Sequence, residues 1–213
     1  MWPLLAFSIA TIAIALERTL YLLYHDLRIG ALKTRVEEYI KAGDIPGAQA
    51  YLAALSKRRV GARILLALVN RAGLSEHLIE RAVETEALSR INSLENGFNF
   101  LTALGSLSPL TGFLGTVSGM IGAFKSIAEA TEVNAQIVAN GIYEALITTV
   151  FGLIIAIIAM VSHSLLTHVV DKFVAEVEQA CSELIMDLAI SGAEKSGARR
   201  ASAGRRRLHR IHP

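Results

Sequence analysis

The chain has 213 residues, of which 53% are hydrophobic and only 6% aromatic, and its mean hydropathy is +0.45. This composition argues against a soluble globular domain and favours helices in lipid, because soluble domains of this length are normally less apolar. The formal net charge of +2 excludes no class of protein. The chain has a single cysteine, Cys181, so it cannot form an intrachain disulfide. We predict that Cys181 is a small helix-packing residue.

Three apolar stretches predict three transmembrane helices, at residues 1–24, 98–125 and 137–162. The second and third are long enough to cross a hydrocarbon core of about 30 Å. In the first, fifteen apolar residues rise only about 22 Å before Glu17 and Arg18 are reached. We therefore expect this pair at the interface, with Arg18 snorkelling towards the headgroups. No cleavable signal peptide is expected, because no basic residue precedes the apolar run.

Between the first two spans, residues 25–97 are polar and predict a helical cytoplasmic domain. Asp44, Pro46 and Gly47 indicate a turn followed by a helix start. Ser75 is a suitable N-cap for a helix that we expect to run unbroken through Gly97 into the second span. After the third span, residues 163–190 predict a cytoplasmic helix. Residues 191–213, rich in Gly, Ser, Ala and Arg, predict a disordered tail.

The distribution of Lys and Arg predicts the topology. Of 21 such residues, 12 lie between Arg18 and Arg90, eight between Lys172 and Arg210, and only Lys125 between the second and third spans. By the positive-inside rule, the polar segment and the tail are cytoplasmic, and the N-terminus and the loop at 126–136 are outside. For the basic tail, an orientation signal or contact with anionic lipid is favoured over nucleic-acid binding.

Small residues line one face of each of the last two spans when they are projected at 100° per residue. They are Gly105, Ser108, Gly112, Gly115, Thr116, Gly119, Gly122 and Ala123 in the second span, and Gly141, Ala145, Thr148, Thr149, Gly152, Ala156 and Ala159 in the third. One interpretation is close packing of the two helices, which small residues permit in lipid. The other adds that part of each face lines a conduit or holds another helix.

Two threonines on these faces have matched depths. Thr116 lies about 20 Å and Thr149 about 17 Å from the cytoplasmic ends of their spans, at about 1.5 Å per residue. The hydroxyl of a single threonine can donate its hydrogen bond to the i−4 carbonyl of its own helix, so one threonine in a span is weak evidence for a conduit. Two at one level near the bilayer midplane favour a conduit somewhat more, although the packing interpretation stays open.

Glu144 is the only acidic residue within the second or third span. An ionisable residue in a span is costly and usually functional, but a carboxylate near a helix start also favours the positive end of the helix dipole. Both interpretations remain open. Neither span offers a carboxylate at the midplane, so a proton carrier at that level has to come from a partner.

Other chemistries lack support in the sequence. No nucleophile motif accompanies the serines of the second span, the six histidines are scattered, and no phosphate loop or dinucleotide fingerprint is present. We therefore expect no enzyme activity, no metal and no cofactor.

Residues 101–163 resemble the MotA/TolQ/ExbB proton-channel family. Two motifs carry the resemblance: LGSLSPLTGFLGTVSGMI at residues 104–121 and GIYEALITTVFGL at residues 141–153. The Leu-Glu-Arg at residues 16–18 is also similar to short ExbB proteins. Departures are Asn140 where many relatives have Pro, and Ser118 where many ExbB proteins have Trp. Relatives also carry further residues before a start like that at residues 2–4.

The resemblance implies a bacterial inner-membrane protein that forms a pentameric ring around two helices of a single-span ExbD/TolR-like partner. The partner would carry the proton-binding aspartate, and a TonB- or TolA-like protein would pass the work to the outer membrane. Thr116 and Thr149 match the family's pore-facing threonines, and Glu144 matches its motif glutamate. Together with Thr148, these residues are expected to line the ion pathway. Gly112, Gly115, Gly119, Gly152 and Ala145 form the packing or pore face. Alternatives are a non-conducting scaffold that assembles partner helices and a MotA-like flagellar stator subunit.

Overall fold

The computed structural model of the protein describes residues 2–129 and 135–208, and beyond Ser191 it describes the backbone alone. The described residues form seven α-helices and no strand, which confirms the predicted all-α class. In chain order the helices are α1 Trp2–Tyr24, α2 Gly30–Ala42, α3 Ile45–Leu55, α4 Val60–Val69, α5 Glu76–Glu95, α6 Phe98–Glu129 and α7 Ala135–Leu208. The chain divides into two compact units, Met1–Tyr21 with Glu95–Val169, and Leu22–Leu94 with Val170–Pro213.

Three helical segments are long and apolar enough to cross a membrane, as the sequence predicts. They are Trp2–Tyr24, Glu76–Glu129 and Ala139–Ser191. The second, which comprises α5, a two-residue break and α6, and the third contain 54 and 53 residues, far more than the roughly 20 that a span needs, so an apolar part of each is enough to cross a membrane. In those parts, large apolar side chains such as Leu114, Ile121 and Ile157 are exposed, as expected for surfaces that face lipid or further helices.

The single unbroken helix predicted from Ser75 onward is wrong at one point, because residues 96–97 separate α5 from α6. Gly97 has a φ of 91°, a left-handed conformation that glycine adopts freely and other residues rarely adopt. A helix cannot continue through this conformation, so α6 begins afresh at Phe98. A Cβ on Gly97 would also lie 3.0 Å from Nε of Arg18, so glycine is the residue that fits.

The unit that contains α2, α3 and α4 has its own apolar core. The side chain of Asp44 accepts a hydrogen bond from the N–H of Gly47 at 2.9 Å and begins α3, which confirms the predicted turn. Seven of the ten residues of α4 are buried. The distal part of α7 belongs to the same unit: Leu184 is fully buried, and Glu183 forms an ion pair with Lys33 of α2.

The end of α7 differs from the disordered tail that the composition predicts. In the structure the helical backbone continues to Leu208, and residues 209–213 lie outside the described part. The tail contains several Ala and Arg residues, which are strong helix formers, and adding residues to an existing helix avoids the cost of nucleation. Part of the loop predicted at 126–136 is helical instead: α6 extends to Glu129 and α7 starts at Ala135. Residues 130–134 lie outside the described part.

Candidate ion pathway between α6 and α7

Helices α6 and α7 approach most closely at two buried glycines, one on each helix. A Cβ on Gly112 would lie 2.7 Å from the carbonyl oxygen of Thr148 and 3.0 Å from Cα of Thr149. A Cβ on Gly152 would lie 2.6 Å from the carbonyl oxygen of Ser108 and 3.1 Å from Cα of Gly112. The two backbones therefore touch with no side chain between them. The small-residue faces do pack together, as the first of the two interpretations of the sequence proposed.

The contact extends in both directions from this crossing. Towards one end, Gly105 faces the side chain of Met160, and towards the other, Gly119 faces the Cβ of Ala145. Gly115 lies between, against the hydroxyl of Thr148. Gly122 departs from the predicted face, because a Cβ added there would meet no atom within 4 Å.

Three threonine hydroxyls cluster beside the crossing. The hydroxyls of Thr116 and Thr149 form a hydrogen bond to each other across the two helices, as their matched depths suggest. The carbonyl oxygen of Gly112 is the shared acceptor: it lies 3.3 Å from Oγ1 of Thr116, 3.0 Å from Oγ1 of Thr148 and 3.2 Å from Oγ1 of Thr149. The carbonyl of Ala145 accepts from Thr148 at 2.7 Å and from Thr116 at 3.2 Å. Together these residues form the threonine cluster.

The cluster combines three hydroxyls with two backbone carbonyls. Each hydroxyl donates one proton and has two lone pairs, so the hydroxyls satisfy their donor capacity inside the cluster and retain acceptor capacity. Thr116 and Thr149 are partly exposed, whereas Thr148 is only 8% exposed and lies inside the helix contact. The first two can therefore receive a hydrogen bond from water or from another helix. The hydroxyl of Thr148 lies against Gly115 of α6. A role for Thr148 in an ion pathway stays a prediction.

Glu144 lies apart from the threonine cluster. Its side chain is exposed, and in the part of the chain that the structure describes it forms no ion pair. It is the tenth residue of α7, which begins at Ala135, and it precedes Thr149 by five residues or about 7.5 Å of helix. The effect of the helix dipole fades within the first turn, so the dipole interpretation of Glu144 loses support.

At the level of the threonine cluster, no carboxylate is present among the described residues. Between 98 and 129 and between 135 and 162 the only acidic side chains are those of Glu129 and Glu144. Glu129 ends α6 and pairs with Lys125 at 3.9 Å. The crossing thus offers hydroxyls and carbonyls, which can accept and relay a hydrogen bond, but no group that ionises readily.

Two features of the site were missed from the sequence. The carbonyl of Gly112 is the centre of the threonine cluster, and the Gly-to-Thr spacing of four residues between Gly112 and Thr116 was the available signal. Arg18 was expected to snorkel, but its side chain is only 15% exposed, pairs with Glu17 at 2.7 Å and packs against Gly97. Its guanidinium also lies 5.4 Å from the ring centroid of Tyr21. No periodicity argument identifies such a contact between distant segments.

Fold and site together define a multi-pass helical membrane protein whose second and third spans meet at a contact of small and hydroxyl-bearing residues. The sequence profile described as the MotA/TolQ/ExbB proton channel family matches residues 51–179, which is more than half of the chain. The chain therefore belongs to the MotA/TolQ/ExbB proton channel family, and it is a multi-pass inner-membrane protein.

Named relatives lie in two branches of the family. The biopolymer transport protein exbB1 of Vibrio cholerae is 30% identical over 183 residues, covering 83% of this chain and 78% of the relative. The biopolymer transport protein ExbB of Pseudomonas putida is 30% identical over 138 residues, or 63% of this chain and 42% of that protein. The Tol-Pal system protein TolQ of Haemophilus influenzae is 41% identical over 87 residues, covering 41% of this chain and 38% of the relative.

Proposed function

We propose that the chain is the ring-forming channel subunit of a motor that is driven by the proton-motive force and energises outer-membrane transport or a related envelope process. The observation that carries the proposal is the threonine cluster at the closest approach of α6 and α7, partly exposed and without a carboxylate at its level among the described residues. Such a cluster suits proton transfer to a carboxylate that another chain supplies. The names of the relatives, biopolymer transport and Tol-Pal proteins, support the same process.

In this proposal several copies, five by resemblance to the family, surround the helices of an ExbD/TolR-like single-span partner. The partner's aspartate exchanges its proton beside Thr116 and Thr149, and a TonB- or TolA-like protein receives the resulting movement. Each proton that crosses 100 mV supplies about 2.3 kcal/mol. The chain itself performs no covalent chemistry in this scheme and needs no cofactor.

The proposed orientation follows from charge. Between the apolar part of α6 and the apolar part of α7 the only basic residue is Lys125, near the end of α6, whereas 12 Lys and Arg residues lie between Arg18 and Arg90. The positive-inside rule then puts the N-terminus in the periplasm and the C-terminus in the cytoplasm.

The decisive test removes one hydroxyl at a time and keeps the side-chain shape. We expect Thr116→Val and Thr149→Val each to abolish most energy transduction while assembly is unchanged, because valine fills the same volume but cannot donate or accept a hydrogen bond. The matched control is Thr111→Val. Thr111 lies on α6, but its hydroxyl donates to the carbonyl of Leu107 at 2.9 Å within its own helix.

Growth on a nutrient that requires active outer-membrane transport measures transduction, and the native mass of the purified complex measures assembly. Normal growth of both cluster variants would refute the conduit. Equal loss in the Thr111→Val control would show that a threonine hydroxyl outside the cluster is needed just as much, and the cluster would then have no special part.

A non-conducting scaffold is the second candidate, and one observation favours it. Every hydroxyl of the threonine cluster already has a partner inside the α6–α7 contact, which is what helix packing alone requires. In a scaffold, Thr116→Val and Thr149→Val weaken assembly and transduction together. In the proposed channel, transduction fails while the complex stays intact.

A further inference from the structure

The unit formed by residues 22–94 and 170–213 carries an open apolar groove between α5 and the distal part of α7. Its volume is about 550 Å³. Buried Val83, Val177 and Ile185 form its floor, while the side chains of Leu88 and Met186 are 54% and 64% exposed along it. Contiguous apolar surface of this kind commonly marks a binding site.

The edge of this groove is acidic. Glu76, Glu80 and Glu84 follow one another at four-residue spacing on α5, and Glu178 lies on α7. All four side chains are exposed, and none forms an ion pair in the described part of the chain. The described residues that line the groove include no Lys or Arg. The groove therefore suits a segment that combines small apolar side chains with several positive charges.

The chain itself contains a segment of this chemistry. Residues 191–213 include seven Lys or Arg and one acidic residue, Glu194, interspersed with Ala and Gly. Lys195 and Arg199 are four residues apart, as are Arg206 and Arg210, which is the spacing of the glutamates along α5. Charge and composition thus match the groove.

The tail of the same copy leads away from its own groove. The lining of the groove ends at Ile190, and α7 continues as an unbroken helix to Leu208, about 27 Å further on at 1.5 Å per residue. We propose that the acidic groove between α5 and α7 binds the basic C-terminal tail of a second copy of the chain. This contact rests on the proposed assembly of several copies and is independent of the proton conduit.

Disulfide trapping between two distinguishable copies tests this contact in the full-length protein. Both copies carry Cys181→Ala, which removes the native thiol. One tagged copy carries Glu80→Cys at the groove edge, and a second copy with a different tag carries Arg206→Cys. After co-expression and oxidation of the membranes, we expect a mixed-tag dimer, and we expect its yield to fall at high salt because the contact is electrostatic.

The matched control moves the groove cysteine to Ser89→Cys. Ser89 is exposed on α5 but does not line the groove, and at 100° per residue it lies on the opposite face of the helix. We expect the mixed-tag product to be lost with this variant. Reversal of the groove charges by Glu84→Lys with Glu178→Lys should also remove the product, and Arg199→Glu with Arg205→Glu in the partner copy should restore it.

Three results would overturn the tail contact. The first is an equal yield of mixed-tag product from Glu80→Cys and Ser89→Cys. The second is a cross-link that forms within a single chain carrying both Glu80→Cys and Arg206→Cys but not between the two tagged copies. The third is protection of the Arg206→Cys thiol from a maleimide reagent only by vesicles containing phosphatidylglycerol, which would make anionic lipid the ligand. The native mass of the same sample separates the two proposals. A ring of normal mass without the mixed-tag product overturns the tail contact and leaves the proposed function intact.

Discussion

The hydroxyls of Thr116 and Thr149 serve helix packing and remain accessible for further hydrogen bonds. They hydrogen bond to each other, and both lie within 3.3 Å of the carbonyl oxygen of Gly112. Because both side chains are partly exposed, they are also within reach of a helix that binds beside the crossing. Packing and conduction are therefore compatible roles at this position, and the variants under "Proposed function" separate them.

Glu144 is the residue whose charge and position argue most directly for a function. Its exposed carboxylate lies in the apolar part of α7, beyond the first turn, and forms no ion pair among the described residues. An ionisable side chain within a spanning helix is costly, so the presence of Glu144 in the apolar part of α7 calls for a compensating partner or water.

We expect Glu144→Gln to impair transduction without loss of assembly, since glutamine keeps the size of the side chain and removes its charge. Growth on a nutrient that depends on outer-membrane active transport is the measurement. Glu129→Gln is the control, because Glu129 is also exposed but ends α6 and pairs with Lys125. Wild-type growth of the Glu144→Gln strain would exclude a role in transduction.

At the scale of the helices, the approach of α6 to α7 depends on particular glycines. Gly112 and Gly152 meet backbone atoms of the facing helix, whereas Gly122 meets nothing within 4 Å. Close approach maximises van der Waals contact, the main attraction between helices in lipid. All three are glycines within spanning helices, so their unequal contacts follow from where the two helices cross.

Gly112→Ala should destabilise the protein by about 1–3 kcal/mol, because the added Cβ would lie 2.7 Å from a backbone oxygen that cannot move alone. Gly122→Ala should be neutral or slightly stabilising, since alanine is the better helix former and has open space there. Unfolding of the purified protein by titration with a denaturing detergent compares the two. Identical midpoints would contradict the close crossing.

A two-residue break at 96–97 separates α5 from α6. Gly97 adopts its positive φ beside the poorly exposed side chain of Arg18, so a residue of the first span is packed against the start of α6. The break ends one helix and fixes where the next begins, and α6 enters its apolar part within a few residues.

At the scale of the whole molecule, the exposed apolar side chains of α6 and α7 need to be covered by lipid or by other protein chains. Phe113, Leu114 and Ile121 are each more than 60% exposed in the single chain. Lipid can cover such side chains, but the partly exposed threonine cluster and Glu144 on the same helices are better suited to a protein or water-filled surrounding. The assembly proposed above, with further copies and a partner, would satisfy both requirements.

Native mass spectrometry of the detergent-purified chain should show a species of about five times its 22.9 kDa. Co-expression with an ExbD-like single-span protein should add the mass of bound partner chains, because the proposed ring encloses their helices. A monomer or dimer that ignores the partner would contradict the ring and would favour the scaffold.

Much of this architecture could be predicted from local pattern. Runs of apolar residues identify three spans, the uneven distribution of Lys and Arg predicts an orientation, and helical periodicity places Gly112, Thr116 and Thr149 on the faces that do meet. Each of these signals depends on properties that repeat within one helix, and the rise of 1.5 Å per residue converts them directly into depth.

The sequence by itself determined the class, the number of spans and the facing surfaces, since the hydrophobic effect and helix geometry act locally along the chain. Only the tertiary structure decided which glycines touch, that Gly112 supplies the shared carbonyl, that Arg18 packs on Gly97, and that α5 and α7 leave an acidic groove. The physical reason is that periodicity specifies a face but not the axial register or the crossing point. Those are set by contacts between segments that lie far apart in the chain.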